Sequence, residues 1–420
     1  MNQFIRADQK EGLSNDQILA EIKKFFADKS DLKKVLLVPP DITRLNAYAG
    51  PITIMIYDLL KDKCEVEVMP ALGTHMPMTE AELAFMYPGI PYDRFRVHNW
   101  RTDVVKIGDV PMDFVEEISE NRFHEGIEVE INKRIVDPSY DLILSIGQVV
   151  PHEVAGMANY SKNIFVGCGG KKMIDRSHMI SALYGIERVM GVDGTPTHKL
   201  FDYVSDKFLK DRPIFYLLTV TATDADDIVH VQSLAIGNKR EIFEKSIVVS
   251  QESNFDFLEK PIKKAVVYLK PEEFRTTWVG NKSIYRTRMA MADGGELIVI
   301  APGLKQFGEA DIQDHLIRKY GYVGFEKVGK LVEENEDLRD NYGVAAHLIH
   351  GSSEGRFTIT YAPGFLTREE IESVNFNYMP LEEALRRYPV DKMKEGENLI
   401  NGEEVFYISN PALGLWAYKG

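Results

Sequence analysis

At 420 residues the chain is too long for one compact core, and two domains are expected. Its 44% hydrophobic and 27% charged residues are those of an ordinary globular protein and exclude a disordered or fibrous one. A formal net charge of -14 argues against nonspecific binding to nucleic acid or an anionic membrane, which needs Lys and Arg in excess over a broad face. A small anionic substrate stays open if the basic residues are concentrated locally.

The opening stretch, MNQFIRADQKEGLSNDQ, lacks the apolar core of a signal peptide, and no run approaches the roughly 18 apolar residues of a spanning helix. Cys64 and Cys168 are too far apart for a metal finger or a disulfide framework, so a cytoplasmic location and no membrane contact are expected. Ile18, Leu19, Ile22, Phe25 and Phe26 recur at helical spacing behind Ser14, Asn15 and Asp16, which predicts an amphipathic helix. Val35-Leu36-Leu37-Val38 then reads as a buried strand stopped by Pro39-Pro40, with Asp41-Ile42-Thr43-Arg44 in the loop after it. A helix follows over about 52–61, with Pro51 suited to its first turn.

Glu65 to Met69 reads as a second strand, and it empties into Ala71-Leu72-Gly73-Thr74-His75. Asp141 to Gly147 repeats the pattern and leads to Val149-Val150-Pro151-His152. Strands alternating with helices and followed by polar loops mark an α/β fold, in which ligands sit beyond the carboxyl ends of the strands. A helical stretch is expected around 177–190, then strands or a hairpin over 213–237. The predicted organisation is two α/β domains, 1–260 and 261–420, with the active site in the cleft between them. In the second domain, Ala265 to Leu269, Glu296 to Ile300 and Phe357 to Thr360 read as strands, with a helix over 278–292.

His75 and His152 follow predicted strand ends, and His178 follows a glycine-rich turn. Those positions separate them from His98, His124, His198, His230, His315, His347 and His350, which read as structural or solvent-facing. Arg44 suits a carboxylate or phosphate clamp oriented by Asp41, or else the pair is a capping aspartate beside a surface arginine. Gly169 and Gly170 would let backbone amides approach a phosphate, or they form a turn before two solvated lysines. Lys282, Tyr285 and Arg286 fall on one helical face at i, i+3 and i+4, a face equally suited to solvent.

Taken together, DITR, ALGTH, PHEVAG, Lys162 ten residues after His152, His178 sixteen further on, and the Lys282 segment before Gly294-Gly295 resemble the lactate racemase family, enzymes that use a nickel-pincer nucleotide. The resemblance implies that Lys162 holds the cofactor covalently and that His178 ligates nickel. It implies His75 and His152 as the paired acid/base histidines, and Arg44 and Lys282 as ligands of the substrate carboxylate. Asp41, with Gly169 and Gly170, is placed on the cofactor side of the site. The implied reaction is racemisation or 2-epimerisation of a small anionic 2-hydroxy acid by hydride transfer through a 2-keto acid, with cofactor-biosynthesis enzymes as necessary partners.

Where the family pattern has glycines before its lysine, this chain has Asn159 and Tyr160. These residues add hydrogen-bonding groups and bulk, and they are read as substrate contacts. They point away from lactate toward a longer hydroxylated acid, an aldonate such as gluconate. Two other readings compete. One is a zinc hydrolase or lyase on His75, His152 and His178 with an open fourth position; the other is a noncatalytic cofactor-binding protein.

Overall fold

In a computed structural model of the chain, residues 2–224, 228–412 and 414–418 are described. The chain forms two compact units: Met1–Tyr184 with Arg188–Asn254, and Phe255–Gly420 with Gly185–Glu187. No helix among the described residues is long and apolar enough to cross a membrane.

The first unit is built on a six-stranded sheet. Its strands are β1 (Gln3–Arg6), β2 (Lys34–Val38), β3 (Glu65–Val68), β4 (Leu142–Gln148), β5 (Ile214–Thr223) and β6 (Val229–Gly237), in the spatial order β1-β6-β5-β4-β2-β3. β3, β2, β4 and β5 run parallel, while β5 and β6 form an antiparallel hairpin edged by β1. In β2 the residues Val35 to Val38 are all buried, as a central parallel strand covered on both faces requires. Helix α1 (Asn15–Phe26) is started by a capping box in which Ser14 and Gln17 exchange hydrogen bonds, and it buries Ile18, Ile22, Phe25 and Phe26. These join Leu37, Ile52, Ile56, Val68 and Leu144 in one core, each contributing on the order of 1.5–3 kcal/mol by leaving water.

From β2 the chain crosses to β3 on one side and returns to β4 on the other. The order of strands therefore reverses between β2 and β4, which creates a crevice beyond their carboxyl ends. The loops after β2, β3 and β4 carry Asp41, His75 and His152, respectively.

The second unit has its own six-stranded sheet: β7 (Ile262–Tyr268), β8 (Met291–Ala301), β9 (Thr358–Pro363), β10 (Asn377–Tyr378), β11 (Gly396–Ile400) and β12 (Glu403–Ile408), ordered β10-β9-β8-β7-β12-β11. All neighbours are parallel except the hairpin of β11 and β12, whose two-residue turn Asn401-Gly402 takes positive φ at both positions. Phe255–Leu258, ahead of the boundary expected at 260, pairs with Leu415–Tyr418 and so belongs to this unit.

The single helix expected over 278–292 is two short ones, Thr277–Gly280 and Lys282–Thr287, and its last two positions open β8. The break falls at Asn281, whose side-chain oxygen accepts a hydrogen bond from the Tyr361 hydroxyl at 2.7 Å.

Candidate active site

Asp41 follows β2 after Pro39 and Pro40. Its Oδ1 accepts hydrogen bonds from the amide and hydroxyl of Thr43, at 3.2 and 2.6 Å, and thereby starts the helical turn that carries Arg44. Its Oδ2 lies 2.6 Å from Nδ1 of His75. Asp41 is buried and His75 exposed, so the carboxylate anchors one edge of an imidazole whose other edge is open. Burial works to raise the Asp41 carboxyl, but the charge of His75 and the hydrogen bonds from His75 and Thr43 outweigh it and hold the carboxyl below its ordinary value. His75 reaches this position through a left-handed turn at Gly73, whose amide donates to the Gly167 carbonyl at 2.9 Å.

His152 stands in a small antiparallel ladder in which Pro151 faces Met157 and His152 faces Gly156. The ladder is held from outside. Thr195 Oγ1 donates to the Ala155 carbonyl at 2.8 Å, His198 Nε2 to the Met157 carbonyl at 3.1 Å, and the Gly191 amide to the Gly156 carbonyl at 2.9 Å. A Cβ on Gly156 would come within 2.2 Å of the Val192 carbonyl oxygen, so only glycine fits there. His152 is buried, and Nδ1 accepts the amide N–H groups of Val154 and Ala155 at 3.0 and 3.4 Å. Burial pushes its imidazole well below the ordinary value, and the charges of Lys162, Arg44 and His178 act in the same direction, opposed by Glu153.

Lys162 lies on the short helix α2 (Ser161–Phe165). The next residue fixes that helix: Asn163 Nδ2 donates to the Val38 carbonyl at 3.1 Å and to Ser145 Oγ at 2.9 Å, tying it to the end of β2 and the middle of β4. Burial, reinforced by the charge of Arg44, brings the Lys162 amine down to about 8. A substantial neutral, nucleophilic fraction therefore exists near neutral pH. His178 lies within helix α3 (Lys171–Tyr184), where its Nδ1 donates to the Ile174 carbonyl at 2.6 Å. That bond selects the tautomer with a free lone pair at Nε2, the arrangement a metal-ligating histidine needs. Burial, then the charge of Lys162, lowers its imidazole and keeps it neutral.

Tyr160 is packed rather than presented. Its ring stacks on Phe243 with centroids 5.0 Å apart and lies 4.3 Å from Tyr216. Asn159 turns its Oδ1 back to the Tyr160 amide at 2.7 Å, and its Nδ2 occupies the space a Cβ on Gly147 would need. Both residues hold positive φ, 69° and 53°, where glycine is favoured. Asn159 is thus engaged within its own loop, and the Tyr160 ring packs against β5 and the helix that carries Phe243.

The glycines at 169 and 170 also serve the fold. Their amides donate to the carbonyls of Val166 and Glu130, at 3.3 and 2.9 Å, and are not left for a phosphate. A Cβ on Gly169 would meet the Phe165 carbonyl oxygen at 1.9 Å, so close backbone approach explains the residue.

Asp41, Arg44, Lys162, His152 and His178 thus belong to one electrostatic neighbourhood in the first unit, with His75 attached through Asp41. Glu153, which the sequence reading passed over, is part of it, with Oε1 3.8 Å from Nε2 of His152. The signal for it was adjacency to His152 in PHEVAG. Among the described residues no three His, Cys, Asp or Glu side chains are grouped to hold a metal, so the three-histidine zinc site lacks its ligand set. Lys282 opens its helix in the second unit, where Tyr285 and Arg286 are buried instead of lining a solvated face.

Residues 10–188 match the family model of the lactate racemase N-terminal domain. The whole chain shares its fold with a crystal structure of a protein from Thermotoga maritima, with a TM-score of 0.84 at 24% identity, covering 99% of this chain and 100% of that one. It is similar also to the lactate racemase apoprotein from Thermoanaerobacterium thermosaccharolyticum, with a TM-score of 0.67 at 18% identity over 96% of this chain and 89% of that one. At such identities these two likenesses bear on fold alone. No curated protein matches the chain by sequence.

Proposed function

We propose that this chain, whose residues 10–188 match the family model of the lactate racemase N-terminal domain, is a racemase or 2-epimerase of a 2-hydroxy carboxylic acid that works with a nickel-pincer nucleotide attached to Lys162. The observation that carries this reading is the pairing of Lys162 with His178. A half-buried amine brought down to about 8 is suited to covalent attachment, and an imidazole with Nδ1 committed to a carbonyl offers Nε2 to nickel. Such a site needs only one protein ligand, because the cofactor brings the others.

When bound, the cofactor supplies the two-electron chemistry, taking the α-hydrogen of the substrate as hydride and returning it. That route suits a 2-hydroxy carboxylate, whose α-proton is too weakly acidic for direct abstraction beside an anionic group. Arg44 binds the substrate carboxylate as a charged donor, the part that the family resemblance also gives to Lys282. His75 and His152 serve the substrate hydroxyl, with Asp41 orienting His75. The reading includes an acid longer than lactate, such as an aldonate, because Asn159 and Tyr160 stand where the family pattern has glycines. The reading includes a cytoplasmic protein, in keeping with two free thiols, and cofactor-making enzymes as its partners.

The test is coexpression with cofactor-making enzymes and nickel, followed by intact mass and an epimerisation screen over lactate, malate and aldonates. A covalent nucleotide-derived adduct and one epimerised acid are expected, both lost in Lys162→Ala. Full activity in Lys162→Ala would overturn the reading.

A further inference from the structure

Between His152 and Lys162 the backbone has little regular structure, and it turns through positive φ at Gly156, Asn159 and Tyr160, 87°, 69° and 53°. At Asn159 and Tyr160 such angles oppose a side chain, and they persist only where the surroundings hold them.

Much of that hold comes from one segment, 191–198. The carbonyls of three successive loop residues, Ala155, Gly156 and Met157, accept hydrogen bonds from Thr195 Oγ1 at 2.8 Å, the Gly191 amide at 2.9 Å and His198 Nε2 at 3.1 Å. Thr195 Oγ1 also accepts the His198 amide at 3.2 Å and so starts the helix Pro196–Val204. His198 is buried, and its Nε2 faces a carbonyl oxygen, which only accepts, so that nitrogen carries a proton.

The His198 ring is itself anchored. Its Nδ1 lies 3.1 Å from Oδ1 of Asp193, and Arg240 grips Asp193 with both terminal nitrogens, at 3.0 and 2.7 Å. Arg240 Nε also donates at 2.8 Å to Asp202, which stands four residues after His198 on the same helix. Burial works to raise the Asp193 carboxyl, but His198 and Arg240 outweigh it and hold it well below its ordinary value. One turn after Arg240, Phe243 stacks on Tyr160 with centroids 5.0 Å apart and meets the His198 ring in a T-shaped contact at 5.3 Å.

We infer that His198 is a positioning residue of this site: through the Met157 carbonyl, with Asp193 and Arg240 anchoring its ring, it sets the loop from His152 to Lys162 and so the placing of both side chains. The inference rests on the proposed function for what the site turns over, and on the hydrogen bonds alone for the hold on the loop.

Met157 passes the constraint on. It faces Pro151, the residue before His152, and the next amide, Ala158, donates to the Val150 carbonyl at 2.8 Å. Losing the His198 donor takes a hydrogen bond from a carbonyl of a buried residue, next to backbone that is already strained. Arg44 hangs on a different loop, the one after β2, so a slack 152–162 loop misplaces the reacting groups and spares the clamp on the substrate carboxylate.

Two variants of the full-length chain test this. His198→Leu keeps much of the bulk and removes the donor, whereas His198→Gln puts an amide N–H near the place of Nε2. The first readout, amide hydrogen exchange, needs neither cofactor nor substrate. Ala158 is expected to exchange about tenfold faster in His198→Leu, with Ile143 to Ile146 of β4 unchanged, and to return to within about threefold of the parent in His198→Gln. Equal Ala158 rates in the two variants, or a rise shared by β4, would overturn the inference. In the unaltered chain labelled with ¹⁵N-histidine, with His198 assigned by its loss in His198→Gln, Nε2 is expected to be protonated; a bare Nε2 would overturn the inference as well. In the loaded enzyme, His198→Leu is expected to lose about tenfold or more in kcat while KM stays within about threefold, and His198→Gln to recover most of the loss. Equal kcat in the two variants, or a loss carried by KM alone, would refute the positioning role. If exchange is as stated but the parent turns over no 2-hydroxy acid, the proposed function fails while the hold on the loop stands.

Discussion

The carboxylate of Asp41 and Nδ1 of His75 lie 2.6 Å apart, joining the loop after one strand to the loop after its neighbour. Because the carboxylate can only accept, it fixes which nitrogen of His75 faces outward. Asp41→Asn keeps the shape but offers an amide that can rotate its N–H toward Nδ1 and select the wrong tautomer. A loss of about 10²–10⁴ in kcat with little change in KM is expected, of the size general-base catalysis supplies. Steady-state kinetics on the loaded enzyme checks it, and a change confined to KM would assign Asp41 to substrate binding instead.

The same pair fixes a stability effect with a definite sign. The Asp41 carboxyl is held below its ordinary value in the folded chain, so its contribution is fully present above that ordinary value and is lost as pH falls through the folded one. Urea unfolding between pH 3 and 6 should show a shallower acid loss in Asp41→Asn than in the parent chain. Identical slopes would mean that Asp41 is not depressed by folding.

Lys162 should stand out among the lysines of the cofactor-free chain. With its amine at about 8 against an ordinary 10.5, about one Lys162 in ten is neutral at pH 7, compared with about one in three thousand for an unperturbed lysine. Its acylation by a small amine reagent, followed by peptide mass, should rise with a midpoint near the same value as the lowered amine. A midpoint in the ordinary lysine range would remove the argument that burial activates it.

Tyr160 is expected to matter through its ring and its backbone rather than its hydroxyl. Tyr160→Phe keeps the stack on Phe243 and should leave stability and substrate preference unchanged. Tyr160→Ala empties a buried aromatic site and should cost about 3–5 kcal/mol. Tyr160→Gly removes the same ring yet relieves a backbone held at φ 53°, ψ -133°, so it should be no less stable than the alanine variant. Denaturant unfolding of the three variants decides, and a shifted substrate range in Tyr160→Phe would return the hydroxyl to the site.

The first sheet was largely legible because its signals are local. Val35 to Val38 form an unbroken apolar run ended by two prolines, and the polar loops after three such strands carry Asp41, His75 and His152 to one sheet end. What stayed hidden is non-local. Nothing in the sequence shows that Phe243 and Tyr216 wait for the Tyr160 ring, or that the amides of Gly169 and Gly170 are already taken by carbonyls. The helix expected over 278–292 failed for a related reason, since Gly280 and Asn281 weaken a helix and Asn281 is drawn into a bond with Tyr361, eighty residues on.

Asn163 offers the clearest separation of a hydrogen-bonding role from a packing one. Its side-chain amide donates to the Val38 carbonyl and to Ser145, and so fixes the helix on which Lys162 stands. Asn163→Ala should cost about 1–3 kcal/mol by leaving these acceptors unsatisfied. Asn163→Asp preserves the size but replaces a donor with an acceptor that faces a carbonyl oxygen, so it should cost more than the alanine variant. In urea unfolding, the midpoint should fall in the order parent, alanine, aspartate, with unchanged slope. If aspartate were as stable as alanine or better, the two donated bonds would not be what holds the Lys162 helix against the sheet.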